Sequence, residues 1–239
     1  MSREEPEGNR SKGATTARDW LRAGCVQGVI VALAVVFHRP MFGANFAAVE
    51  PGLVYRSAQL HEGLGPVLRE NRIASVLNLR GGSVRDPWYR HEVEATAVSG
   101  ADFYDFPLRP NRKPTRSELL ALIDLFERCR YPILIHCKSG ADRTGMASGL
   151  YLMTREGTPP EEAVKAFSIV HSHIALGGPE HLHEPFLEYA SWLKSRHETH
   201  SADRFRRWVI EEYRAPDEGK PFQPLRPGTR MARRIAAAH

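Results

Sequence analysis

A cysteine and an arginine six positions apart, Cys137 and Arg143, are the residues of this sequence best suited to chemistry on an anion. Residues 132–135 are apolar and predict a buried strand, whereas residues 146–152 have the small and apolar composition of a buried helix. A loop between such elements directs backbone N–H groups and the positive end of a helix dipole at one point. A cysteine there has a lowered pKa, and an arginine offers two donors to phosphate oxygens. This pattern indicates phosphoryl transfer through a cysteinyl-phosphate.

The string HCKSGADRTG at residues 136–145 resembles the phosphate-binding loop of the cysteine-dependent phosphatases. That superfamily contains the tyrosine and dual-specificity protein phosphatases and their lipid-directed relatives. The upstream segments VYRSAQ (residues 54–59) and VLNLR (residues 76–80) resemble the bacterial dual-specificity branch. The resemblance covers roughly residues 45–197, and a match of the whole string is far more specific than the cysteine–arginine spacing alone.

The resemblance implies a role for each residue of the loop. Cys137 attacks phosphorus as a thiolate, and Arg143 binds two phosphoryl oxygens and stabilises their charge during transfer. Thr144 is expected to hydrogen-bond the thiolate, and His136 to orient the loop rather than to transfer protons. No metal ion or other cofactor is required. Backbone N–H groups are expected to bind the phosphate from Lys138, Ser139, Gly140, Ala141, Asp142 and Arg143.

The general acid that protonates the leaving oxygen has two candidates. The family usually places an aspartate on a mobile upstream loop, and Asp105 lies 32 residues before Cys137, at the end of a predicted strand. The loop that follows, residues 107–114, has no carboxylate. Asp142 directly precedes Arg143 and could donate the proton from within the phosphate-binding loop, or could instead pair with Arg143 or with a neighbouring basic side chain. The sequence divides the role about equally between the two aspartates.

Two substrate classes remain open, together with one non-enzymatic function. The first hypothesis is a protein tyrosine or dual-specificity phosphatase that acts on phosphorylated protein. The second is a phospholipid or inositol phosphate phosphatase, which a positive entrance to the site would favour. The third, a non-catalytic module that binds phosphorylated ligands, is disfavoured because nucleophile and phosphate-binding arginine are both present. The basic residues expected at the entrance are Lys138, Arg109, Arg112 and Lys113.

Strands that alternate with helices predict an α/β fold with a central, mostly parallel sheet of four or five strands flanked by helices. The predicted strands cover residues 53–56, 73–79, 101–106 and 132–137. The predicted helices cover residues 61–71, 87–98, a segment that begins at a Thr115–Glu118 capping box, a segment that ends near Gly157, a segment that begins at a second capping box, Thr158–Glu161, and residues 182–212. This order places the Cys137 loop between a buried strand and the helix that follows it.

The ends of the chain differ from this predicted phosphatase domain, which covers residues 45–200. Residues 1–19 are polar and predicted to be disordered. Residues 20–40 contain an uncharged run from Ala23 to Phe37 after a basic flank. We interpret this run as a signal anchor or transmembrane helix, with a cleaved signal peptide or a buried core helix as alternatives. The anchor predicts a membrane-associated protein and, in a bacterium, a periplasmic catalytic domain.

The composition supports one ordinary domain with extensions. The chain has 239 residues and a formal charge of +5, of which residues 201–239 contribute nine basic against five acidic residues. We therefore assign the basicity to a tail, helical at first and then disordered, and predict no nucleic-acid partner, since no binding motif accompanies it. The three cysteines form neither a disulfide framework nor a zinc pattern.

Overall fold

The computed structural model describes residues 44–167 and 179–215. In these ranges the strands are β1 (Ala47–Glu50), β2 (Val54–Ser57), β3 (Ser75–Asn78), β4 (Asp102–Asp105) and β5 (Ile133–His136). The α-helices are α1 (Leu64–Glu70), α2 (Pro87–Val98), α3 (Arg116–Arg128), α4 (Asp142–Arg155), α5 (Pro160–Ala163), α6 (Glu184–Arg196) and α7 (Ala202–Glu211). Short 3-10 helices cover His61–Gly63, Val164–Ala166 and Pro179–Leu182.

The five strands form one mixed sheet with β5 at its centre, in the order β1-β2-β5-β3-β4. Strands β2, β5, β3 and β4 are parallel, whereas β1 pairs antiparallel with β2. All four residues of β5 are buried because a strand lies on each side and apolar helices cover both faces. The predicted α/β fold with a mostly parallel sheet is confirmed, and β1 is an additional strand.

Successive side chains of the strands enter two separate cores, since they point to opposite faces of the sheet. On one face, Val76 and Leu134 pack with apolar residues of α1 and α2. On the other face, Leu77, Ile133 and Ile135 pack with residues of α3, α4, α6 and α7. Helix α4 is buried almost all round between residues 144 and 151, so its N-terminus is fixed relative to the end of β5.

Helix α3 begins at the predicted capping box. The Thr115 side chain accepts a hydrogen bond from the Glu118 backbone N–H at 3.1 Å, and the Glu118 carboxylate accepts one from the Thr115 N–H at 2.8 Å. Both residues are buried, so these bonds satisfy donors that water does not reach. The box also fixes the end of the loop that leads from β4 to α3.

The predicted disordered segment 1–19, the predicted anchor 20–40 and the tail beyond residue 215 lie outside the described residues. Within residues 44–167 and 179–215, no helix combines the length and hydrophobicity that crossing a membrane requires. Helix α7, in the segment that precedes the tail, packs Phe205, Trp208 and Val209 into the larger core.

Candidate active site

Cys137 follows the central strand β5 directly and lies at the carboxyl edge of the sheet, where ligands of parallel sheets usually bind. Its side chain is only 1% exposed. The chain then makes a tight turn through Gly140, whose φ of +71° lies in the left-handed region, and enters α4 at Asp142. We refer to residues 137–143 as the phosphate loop.

The carbonyl groups of the phosphate loop are bonded from behind by the segment that includes β2. The four bonds are Gln59 N–H to Lys138 O at 3.4 Å, Asn45 Nδ2 to Ser139 O at 3.1 Å, Arg56 Nη2 to Gly140 O at 2.8 Å and Arg56 Nη2 to Ala141 O at 3.4 Å. In a planar trans peptide the C=O and the next N–H point in opposite directions. The N–H groups of residues 139–142 are therefore directed away from this segment, into the concave side of the loop.

The Cys137 thiol is surrounded by groups that favour its ionised form. The Gly140 N–H donates to Sγ at 3.3 Å, and the buried Thr144 hydroxyl has no other hydrogen-bond partner among the described residues. Burial alone would raise the pKa of Cys137. The positive charge of Arg143, followed by the hydrogen bonds from Thr144 and Gly140, outweighs it and lowers the pKa below the usual thiol value. A lowered pKa favours the thiolate, the form that a nucleophilic cysteine requires.

Arg143 lies on the first turn of α4, and its guanidinium extends toward two neighbouring loops. Its Nη1 is 3.4 Å from both the Leu79 and the Leu108 carbonyl oxygens, which are long hydrogen bonds. No ion pair involves this side chain in the part of the chain that the structure describes. The alternative role of Asp142, an ion pair with Arg143, is thus not observed between these two residues, and the guanidinium donors can turn to phosphoryl oxygens.

His136 forms a buried ion pair beneath the phosphate loop. Its Nε2 lies 2.7 Å from a carboxylate oxygen of Glu92 in α2, and the other oxygen accepts a hydrogen bond from Gln59 at 3.0 Å. Burial opposes a positive charge on the imidazole, but Glu92 outweighs burial and the pKa of His136 is raised. The ring is fixed between β5 and α2, which agrees with an orienting role.

Asp105, the first candidate for the general acid, is buried at the end of β4 and is 4% exposed. One carboxylate oxygen accepts a hydrogen bond from Tyr89 at 3.0 Å, and the other accepts one from Asn78 at 3.3 Å. Burial raises the pKa of Asp105 to about 6, although the hydrogen bond from Tyr89 acts to lower this pKa. A raised pKa suits a general acid, but both oxygens are used within the core.

Asp142, the second candidate, is half-buried at the first position of α4. It belongs to the phosphate loop and directly precedes Arg143 in the chain. Its backbone N–H is one of those directed into the concave side of the loop. Of the two aspartates, the structure therefore brings Asp142 together with Cys137 and Arg143, and places Asp105 in the interior of the domain.

Two of the four basic residues expected at the entrance are neutralised by carboxylates. Arg112 forms a two-pronged ion pair with Glu118 at 2.6 and 2.9 Å, and Lys113 contacts Glu188 at 2.6 Å. Lys138 and Arg109 are exposed. The loop between β4 and α3 therefore adds less positive potential than its sequence indicates.

Asn45, Arg56 and Glu92 support the site but were not singled out from the sequence. Arg56 and Gln59 belong to the VYRSAQ segment, which carried a family resemblance without a role for any one residue. For Arg56, the available signal was a charged residue inside a predicted strand. Glu92 has no comparable signal, because helix α2 is rich in polar residues and only its packing identifies the buried one.

One protein-family model matches the domain that contains this site. The family model described as the tyrosine phosphatase family matches residues 42–198, more than half of the chain. No curated protein matches the chain. Among the solved structures to which the chain is similar, P. aeruginosa TpbA is 17% identical, with a TM-score of 0.47 over 70% of this chain and 92% of that one. The PP-IP phosphatase SIW14 of S. cerevisiae is 18% identical, with a TM-score of 0.49 over 64% of this chain and 93% of that one. The match of the family model, together with the phosphate loop at the end of β5, shows that the chain belongs to the tyrosine phosphatase family of cysteine-dependent phosphatases.

Proposed function

We propose that this enzyme hydrolyses phosphomonoesters in two steps through a phosphorylated Cys137, with phosphotyrosine in proteins as its principal substrate. One observation carries the chemical part. A thiol with a lowered pKa lies at the base of a loop in which the carbonyls of residues 138–141 are bonded on the outer side. Such a loop presents only donors to a bound phosphate.

In the first step the Cys137 thiolate attacks phosphorus. A bond forms between Sγ and phosphorus, and the bond from phosphorus to the leaving oxygen breaks. The charge on the non-bridging oxygens is stabilised by the loop N–H groups and by two donors of Arg143. The leaving oxygen takes a proton from the general acid and departs as a neutral alcohol or phenol.

In the second step water attacks the phosphocysteine. The sulfur–phosphorus bond breaks, inorganic phosphate forms, and the sulfur leaves as a thiolate. The Gly140 N–H and the Thr144 hydroxyl, which favour the thiolate in the free enzyme, make it a better leaving group here. The conjugate base of the general acid accepts the proton that the water molecule loses.

Asp142 is the general acid of this proposal. It is half-buried at the first position of α4, directly before Arg143, whereas Asp105 is 4% exposed and lies in the core at the end of β4. A proton donor must come within hydrogen-bond distance of the leaving oxygen, directly or through one water molecule. Asp142, the first residue of α4, meets this requirement more readily than Asp105, which is buried in the core.

A phosphotyrosine substrate is favoured over a polyanionic lipid head group by two features. The nearly complete burial of Cys137 suits a phosphate carried on a long, narrow group that reaches the base of the loop. The pairing of Arg112 with Glu118 and of Lys113 with Glu188 leaves fewer free cations for additional phosphates. A head group with several phosphates would gain most from cations that are not already paired.

Turnover measured side by side tests the substrate class. Phosphotyrosine peptides, phosphoserine and phosphothreonine peptides, and vesicles containing phosphatidylinositol phosphates are compared under one set of conditions. We expect the highest kcat/KM for the phosphotyrosine peptides. A higher value for the lipids would assign the enzyme to the phospholipid and inositol phosphate phosphatases. Absence of phosphate release from every substrate, despite binding, would support the non-catalytic alternative.

A further inference from the structure

Arg56 is a buried cation in β2 that contacts the phosphate loop from the side opposite the substrate. Its side chain is 2% exposed. Nη2 donates to Gly140 O at 2.8 Å and to Ala141 O at 3.4 Å, and Nη1 donates to Ala166 O at 2.7 Å. A single guanidinium thus connects the loop before α4 with the segment that follows α5.

The two loop residues that Arg56 bonds have unusual backbone conformations. Gly140 has a φ of +71°, and Ala141 has φ −93° and ψ −92°, outside the main allowed regions. Backbone conformations of this kind persist only where surrounding contacts hold them. If the Gly140 carbonyl were to turn inward, it would place a negative dipole against the bound phosphate and remove one N–H donor.

Among the described residues, no carboxylate compensates the charge of Arg56. Within the described ranges its side chain enters no ion pair, and its partners are backbone carbonyls. Burial lowers the pKa of Arg56 to about 10, while the nearby Cys137 thiolate favours the charged form. The guanidinium therefore remains positive near neutral pH. Because electrostatic coupling is mutual, a charged Arg56 also favours ionisation of Cys137.

We propose that Arg56 is a positioning residue of the phosphate loop: it holds the Gly140 and Ala141 carbonyls outward and supplies a second positive charge, behind Arg143, for the Cys137 thiolate. This inference rests on the proposed function, since both effects serve a loop that binds phosphate and ionises a thiol. Arg56 does not touch the substrate, so it acts through the backbone and through Cys137.

Two substitutions separate the charge from the geometry. Arg56→Met keeps most of the aliphatic stem and removes the charge. Arg56→Lys keeps the charge, but one ammonium group does not reproduce the fork that bonds Ala166 and the loop together. Arg116→Met is the matched control, because Arg116 also donates to a backbone carbonyl, that of Tyr213 at 3.1 Å, between α3 and the end of α7.

The pKa of the Cys137 thiol is measured in the full-length protein by a method that does not require catalysis. The rate of alkylation by iodoacetamide is followed against pH on the peptide that contains Cys137, which separates it from Cys25 and Cys129. Affinity for inorganic tungstate, a tetrahedral oxyanion, is measured in parallel. We expect Arg56→Met to raise the apparent pKa of Cys137 and to weaken tungstate binding about tenfold or more.

Arg56→Lys is expected to keep the alkylation profile close to that of wild type while tungstate binds more weakly. Should Arg56→Met fail to fold, as judged by circular dichroism, Arg56→Lys alone still decides, because unchanged tungstate affinity in that variant would overturn the proposal. An equal shift in Arg116→Met would also overturn it, since the effect would then reflect general destabilisation. A wild-type protein that binds tungstate but releases no phosphate would refute the proposed function instead and leave these measurements intact.

Discussion

Replacing Gly140 by alanine tests whether the shape of the phosphate loop depends on its contact with the end of β2. A Cβ atom built on Gly140 would lie 2.5 Å from the Ala58 nitrogen and 2.6 Å from the carbonyl carbon and oxygen of Ser57. All three are backbone atoms, so no side chain can rotate away. The residue also has a φ of +71°, a conformation that L side chains disfavour.

Two effects of this substitution have different magnitudes. The left-handed conformation destabilises an alanine by about 1–2 kcal/mol. The contacts must also lengthen from 2.6 Å to an ordinary 3.4 Å, a displacement of about 0.8 Å. A misplacement near 1 Å in a catalytic group lowers the rate about a hundredfold. We therefore expect kcat/KM to fall about a hundredfold, far more than the loss of stability would explain.

Gly157→Ala is the matched control for this prediction. Gly157 follows α4 with a φ of +68°, and a Cβ atom there would meet nothing within 4 Å. It should lower the free energy of unfolding by about 1–2 kcal/mol without changing kcat/KM for an aryl phosphate. Wild-type kcat/KM in folded Gly140→Ala would refute the argument that β2 fixes the loop. An equal loss of activity in both variants would assign the effect to stability.

Three further predictions concern the buried and half-buried acidic groups. Asp142→Asn should lower kcat/KM for phenyl phosphate by about 10²–10³-fold, whereas Asp105→Asn should leave it close to the wild-type value; the opposite result would exchange their roles. Because the pKa of Asp105 is raised to about 6 in the fold, its ionised form destabilises the protein at higher pH. The free energy of unfolding of Asp105→Asn, measured with urea and taken relative to wild type, should therefore rise by up to about 3 kcal/mol between pH 4 and pH 8. A difference that is larger at pH 4 than at pH 8 would contradict this. Glu92→Gln should destabilise the protein by about 3 kcal/mol below pH 6.5, and the difference should shrink as the pH rises through the raised pKa of His136; a difference independent of pH would contradict the ion pair.

Much of the fold followed from local patterns in the sequence. The bounds of helix α2 match the prediction, and the apolar run before Cys137 is the central strand, because a strand covered on both faces must be apolar throughout. Strand β1 was not predicted. Its sequence Ala-Ala-Val-Glu is short and partly exposed, and only pairing with β2 makes it a strand. Tertiary contacts of this kind leave no periodic signal in the chain.

The phosphate loop was predictable because its parts are contiguous, whereas its support was not. Lys138 and Arg112 are both basic residues expected at the entrance of the site. In the structure, however, Lys138 is exposed and Arg112 is paired with Glu118. Asp105 has the sequence separation expected of an upstream acid, but its carboxylate is buried. Such differences arise from the packing of segments far apart in the chain, which spacing alone does not encode.

Trapping the covalent intermediate tests the central claim most directly. The full-length enzyme is mixed with an aryl phosphate, quenched in acid, digested and analysed by mass spectrometry. We predict an added phosphoryl group on the peptide that contains Cys137, absent from Cys137→Ser, which should also release no phosphate. A Cys137→Ser protein that hydrolyses the substrate at the wild-type rate, or a phosphoryl group on a different residue, would contradict the mechanism.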